Sequence, residues 1–103
     1  MIASKKHVMN LLGLVLTVAA ANVFAYTGQK LAGEAKVSIE QARAVALKAH
    51  PGKITDEELE REKGGSGLRY SFDIRDGKVT QEVGVDAKTG QLLENAPEGA
   101  NPD

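Results

Sequence analysis

Few side chains in this 103-residue sequence have the types and spacing that chemistry requires. There is no cysteine, and the histidines are His7 and His50. A transition-metal site on His50 would need several carboxylates to complete it, and a histidine beside Pro51 and Gly52 at a helix end reads as a cap or surface group. Nucleophilic catalysis needs a hydroxyl within reach of a base. Ser38 is accounted for as a helix cap, Ser66 lies in a glycine loop, and Ser71 falls mid-strand with no base beside it. Residues 86–90 (DAKTG) lack the alternating acids and terminal Glu of a calcium loop and read as a turn. No catalytic residue, metal or cofactor is therefore expected. What remains is an acidic run: Asp56, Glu57, Glu58, Glu60 and Glu62. Such a run serves as a solvated edge that discourages strand-to-strand aggregation. The functional alternative is a docking surface for a basic partner, or a weak site for divalent ions. On that alternative the candidate contacts are Glu58, Glu60 and Glu62 on one strand, with Arg69, Asp73, Arg75 and Glu82 on the polar sheet face beside it.

The elements that must position these groups begin with a helix. Ser38 followed by Gln41 is a capping-box pattern, with Val37 placed as a hydrophobic staple. Ile39, Ala42, Val45, Ala46 and Ala49 recur at spacings of three and four and form one apolar stripe. His50-Pro51-Gly52 ends it, because the residue before proline is driven out of the helical region. Residues 69–83 (RYSFDIRDGKVTQEV) alternate apolar and polar around Asp76-Gly77, a preferred two-residue hairpin turn. Centring the turn there pairs Arg75 with Lys78, Ile74 with Val79, Phe72 with Gln81, Tyr70 with Val83 and Leu68 with Val85. One face is then apolar except for Gln81; the other carries Arg69, Ser71, Asp73, Arg75, Lys78, Thr80, Glu82, Gly84 and Asp86.

Residues 54–62 (ITDEELERE) fit two elements. Thr55 and Glu58 make a second capping-box pattern, and propensity favours a short helix. As a strand, the segment needs a change of side near Asp56, most simply a bulge. A four-residue connection through Gly64-Gly65-Ser66-Gly67 would then set Lys63 opposite Leu68, Arg61 opposite Tyr70 and Leu59 opposite Phe72, which favours the strand. Residues 91–94 (QLLE) read as a short last strand. The expected core is Ile39, Ala42, Val45, Ala46, Ile54, Leu59, Leu68, Tyr70, Phe72, Ile74, Val79, Val83, Val85 and one of Leu92 or Leu93.

The N-terminal quarter has the order of an export signal. Lys5, Lys6 and His7 precede an apolar run at residues 11–21, and Val23-Phe24-Ala25 supplies small residues at the positions a signal peptidase reads, with cleavage between Ala25 and Tyr26. An uncleaved anchor is the alternative, since residues 8–25 reach the lower limit of a spanning helix. Removing residues 1–25 takes away Lys5 and Lys6 and no acid, moving the net charge from −1 to −3. That balance, with only 4% aromatic residues, argues against nucleic acid and an anionic membrane surface as partners. The expected organisation is a signal at residues 1–25, a flexible leader at 26–36, one domain at 37–94 and a disordered tail at 95–103.

The order VSIEQARAVALKAHPGKITDEELERE, a glycine-rich gap, then RYSFDIRDGKVTQEVGVDAKTGQLL resembles the PepSY domain over residues 37–93. The points of likeness are the alanine-rich helix ending at His50-Pro51-Gly52, the acidic run, the aromatic alternating strand, and Val85-Asp86 with Thr89-Gly90 followed by Leu92-Leu93. The resemblance implies an α+β unit with one helix on a small antiparallel sheet of three or four strands, and it supports the strand at residues 54–62. It implies no enzymatic activity, a periplasmic or secreted location, and a role as a regulator or inhibitor of peptidases. With no peptidase domain in cis, that role would be exerted in trans on an envelope peptidase. The alternative is an accessory subunit of an envelope complex or sensor, or a homodimer through a sheet edge, with no membrane insertion after cleavage.

Overall fold

The computed structural model describes residues 25–99. The basic and apolar segments of the export signal lie outside the described residues, as do residues 100–103. Helix α1 spans Ile39–Ala49 and starts as the sequence dictates: the Ser38 hydroxyl accepts from the Gln41 N–H at 3.1 Å, and the Ser38 N–H donates to Gln41 Oε1 at 2.9 Å. These reciprocal bonds satisfy donors that a helix start leaves free. Ala42 and Ala46 are fully buried, and their small side chains let α1 lie close on the sheet.

Four strands follow, β1 (Lys53–Arg61), β2 (Leu68–Asp76), β3 (Val79–Asp86) and β4 (Leu92–Pro97), in a purely antiparallel meander of order β1-β2-β3-β4. Residues 54–62 are thus strand through Arg61 despite their helical propensity, because Leu59 is 1% exposed and fills the core beside Tyr70. The bulge falls where the change of side requires it, between Ile54 and Asp56. One sheet face is covered by α1 over β2 and β3. It buries Leu59, Leu68, Tyr70, Phe72, Ile74, Val83 and Val85 against Ile39, Ala42, Ala46 and Ala87. Burying each large apolar side chain contributes about 1.5–3 kcal/mol. The Tyr70 hydroxyl donates to the Val37 carbonyl at 2.7 Å, and burial, with smaller effects of Tyr26 and Glu40, pushes its pKa up to about 12.

The register departs from the sequence reading by two residues at both hairpins. β2 and β3 pair Tyr70 with Val85, Phe72 with Val83, Ile74 with Gln81 and Asp76 with Val79, so the turn is Gly77-Lys78. Centring it on Asp76-Gly77 would put Asp76 at positive φ, and no described residue other than glycine adopts one. Gly77 takes φ +66° at the first central position, as a type II′ turn requires. Gly77→Val should therefore cost about 1–2 kcal/mol in a urea melt, without altering the core face. β1 and β2 likewise pair Leu59 with Tyr70 and Arg61 with Leu68, leaving a six-residue connection, not four. An even shift preserves which side chains share a face. The cost of the misplacement falls on Val79, which stands 48% exposed at the hairpin tip and not in the core; of Leu92 and Leu93, Leu93 is the more buried.

Both flanks are also more ordered than their composition implies. The leader forms a short 3-10 helix, Gln29–Glu34, and seats Tyr26 and Leu31 against the core. Asn95, Ala96 and Pro97 belong to β4, not to a tail; Gln81 Nε2 donates to Asn95 Oδ1 at 2.7 Å, so the amide that the apolar face carries meets a second amide opposite Val83.

Candidate functional site

With one face sealed by α1, the other face of the sheet is open among the described residues, and strand alternation decides what stands on it. On β1, Glu57 points to the helix side and forms an ion pair with Arg43. Glu58 and Glu60 point the other way, opposite Ser71 and Arg69, and Asp56 stands opposite Asp73. The structure therefore brings together Glu58, Glu60, Glu62, Asp73 and Glu82. They line one shallow depression of about 260 Å³ with Asp56 and Glu94. Ser71 Oγ donates to Glu60 Oε2 at 2.8 Å.

Two carboxyls report the crowding. Glu58 is held above its ordinary pKa by partial burial, then by the charges of Glu60 and Asp56 and a hydrogen bond with Glu60. Asp73 is also raised, by partial burial first and then by Glu98 and Asp56. Ligand oxygens of Asp73, Glu82 and Glu98 lie within 4.8 Å of one another, a spacing carboxylates adopt around a hard cation and also, commonly, without one. A surface of this kind relieves its self-repulsion by gaining positive charge from a partner.

Arg69 and Arg75 do not join that surface as contacts. Arg69 is 8% exposed and lies under it, with Nη1 3.3 Å from Glu94 and 3.6 Å from Glu62, and Nη2 donating to the Lys63 carbonyl at 3.1 Å. It is a tie between β4 and the β1–β2 connection. Arg75 folds back at the hairpin end, its Nε donating to the Gly77 carbonyl at 2.9 Å. Glu94 lies within the expected last strand and Glu98 beyond its expected end; the alternation Glu94, Ala96, Glu98 is the signal that sets both beside the acidic face.

Asp86, expected on the polar face, is instead fully buried as the organiser of two loops. It accepts from the Ser66 N–H at 2.6 Å, the Ser66 hydroxyl at 2.8 Å, the Lys88 N–H at 2.8 Å and the Thr89 N–H at 3.1 Å. Ser66 thus donates its hydroxyl to a carboxylate that its hydrogen bonds hold ionised and only weakly basic. His50 sits 3.5 Å from Asp76, at the far end of β2, roughly 25 Å away at the rise of a strand. Residues 36–95, well over half of the chain, match the family model described as peptidase propeptide and YPEB domain, PepSY.

The chain belongs to the PepSY family. Comparison with curated proteins and with solved structures returned no match. PepSY domains are generally non-catalytic propeptide or regulatory modules that often interact with peptidases or other proteins, and proteins carrying them are commonly extracellular or periplasmic. Among the described residues, no helix is long and apolar enough to cross a membrane.

Proposed function

We propose that this PepSY domain is an exported, non-enzymatic binding module that restrains an envelope peptidase in trans, docking a basic surface of its partner on the open acidic face. The observation that carries the reading is the gathering of Glu58, Glu60, Glu62, Asp73 and Glu82 on the sheet face opposite α1. Export, with cleavage between Ala25 and Tyr26, places the domain where such a peptidase works. The kinetic test is hydrolysis by a panel of exported peptidases with and without the domain. Slowed hydrolysis by at least one is expected. The double substitution Glu58→Lys with Glu60→Lys should weaken that effect at least about tenfold, and 0.5 M salt should weaken it further, because the contacts are exposed charges. A panel left untouched removes the peptidase reading. An accessory or homodimeric role is the second reading, favoured by the exposed Leu92 on the outer strand β4. Concentration-independent monomer mass together with failure to co-purify with any membrane protein would remove it.

A further inference from the structure

The sheet has two edges, and the chain treats them differently. β4 is short and ends in Pro97, which blunts it. β1 is nine residues long, and its outer edge already holds a piece of another strand: Thr27 forms a single parallel bridge with Glu58. The Leu59 N–H donates to the Thr27 carbonyl at 2.8 Å, and the Thr27 N–H donates to the Glu57 carbonyl at 3.4 Å. Pairing stops after that bridge. Gly28, at φ +84°, turns the chain away into the 3-10 helix, its backbone so close that a Cβ there would lie 1.9 Å from the Leu59 carbonyl oxygen. In the other direction, a groove of about 590 Å³ continues along the edge past Ile54, Thr55 and Asp56.

The bridge fixes which way side chains point in this outer position. Bridge partners share a face, so position 27 stands beside Glu58 on the acidic side, and position 25 beside Asp56. Position 26 points to the helix side, where the Tyr26 ring meets the Tyr70 ring edge-on at 6.4 Å between centroids. The next acidic-side neighbour along β1 is Glu60. Once residues 1–25 are removed, the chain's own occupant offers the Tyr26 ring to the apolar seat but only the uncharged Thr27 side chain to the acidic side.

From this geometry we infer that the β1 edge is a strand-addition site for an extended partner segment running parallel to β1, with an aromatic residue flanked at alternate positions by lysine or arginine, and that residues 26–28 are a mismatched place-holder which the partner displaces. Main-chain bonds to β1 supply affinity, and the alternate side chains supply specificity. A segment of that pattern sets its cations against Asp56, Glu58 and Glu60 while keeping the contact with Tyr70. The inference deepens the reading as a binding module and needs no peptidase.

The test uses the protein as processed by the cell and a blocked, fluorescein-labelled heptapeptide with one tyrosine and lysines at alternate positions around it. Anisotropy should show saturable binding, at least about tenfold weaker when the lysines are replaced by glutamates. Gly28→Val, which cannot keep the place-holder on the edge, should bind at least about fivefold tighter, because the binding-competent fraction rises. Tyr26→Ala, which loosens the place-holder without backbone strain, should shift affinity in the same direction. Bound peptide should slow amide exchange at Arg61, whose N–H faces outward beyond the Leu59 N–H that Thr27 already holds. Equal binding of the glutamate peptide, protection appearing on β4, or folded Gly28→Val and Tyr26→Ala variants that bind no tighter would each overturn the inference. Peptide binding without any effect on peptidases removes only the peptidase reading; slowed peptidases without peptide binding remove only this one.

Discussion

Replacing Asp86 with alanine will destabilise the domain by about 3 kcal/mol at pH 7, a large share of what so small a domain possesses. The carboxylate is the single acceptor for the Ser66, Lys88 and Thr89 N–H groups, and it joins the glycine-rich β1–β2 connection to the turn after β3. Removing it leaves those three N–H donors without their acceptor and vacates the fully buried position of the Asp86 side chain. Asp86→Asn keeps one acceptor but turns an NH₂ toward those donors, and should cost about half as much. The same geometry sets a pH dependence. Burial alone would raise the Asp86 pKa, but the bonds from Ser66, Lys88 and Thr89 outweigh it and lower it to about 2 from an ordinary 3.8. The folded-state value lies below the unfolded one. Its contribution, on the order of 2 kcal/mol, is therefore complete above pH 4 and is lost as pH falls from about 4 toward 2. Urea melts at pH 7 and pH 3 check both statements. Wild type should lose stability between them, and the alanine variant should lose correspondingly less. An Asp86→Ala protein within 0.5 kcal/mol of wild type would show that the loops do not depend on this hub.

Asp86 also shows where the sequence stops being legible. Alternation correctly sorted the side chains of residues 68–85 into two faces, and it did so even with the hairpin register wrong by two, because a two-residue slip returns every side chain to its own side. Alternation has nothing to say about the point where a strand becomes a turn. There Asp86 leaves the pleat and points inward to collect N–H groups from a loop twenty residues earlier in the chain. The leader fails for a related reason. Residues 26–36 have no period of their own, and what orders them is tertiary: the Tyr26 ring on Tyr70, and Thr27 on the β1 edge. The acidic face was legible in part. Glu58, Glu60, Asp73 and Glu82 follow from strand parity once residues 54–62 are taken as a strand, and Glu94 lies in the expected last strand, whereas Glu98 depends on carrying β4 through a proline that composition alone assigns to a tail.

Arg69→Met will cost about 2–3 kcal/mol while making the open face a stronger receptor for positive charge. Methionine keeps much of the buried stem, so the loss is mainly that of the guanidinium between Glu62 and Glu94 and of its bond to the Lys63 carbonyl. Breaking a fully buried pair costs about 3–5 kcal/mol; the lower figure applies because both carboxylates keep some contact with solvent. If the penalty arises from uncompensated negative charge, Arg69→Met with Glu94→Gln should recover about 1 kcal/mol of it, and 0.5 M salt should stabilise the single variant more than wild type. A purely steric role predicts neither recovery. The two consequences separate stability from binding at one residue. With its buried counter-charge gone, the face that holds Glu58, Glu60, Asp73 and Glu82 should bind a lysine-containing strand several-fold more tightly even as the domain melts earlier. Weaker binding in a folded Arg69→Met variant would instead make Arg69 part of the docking surface, as its place among the alternating polar residues of β2 first implied.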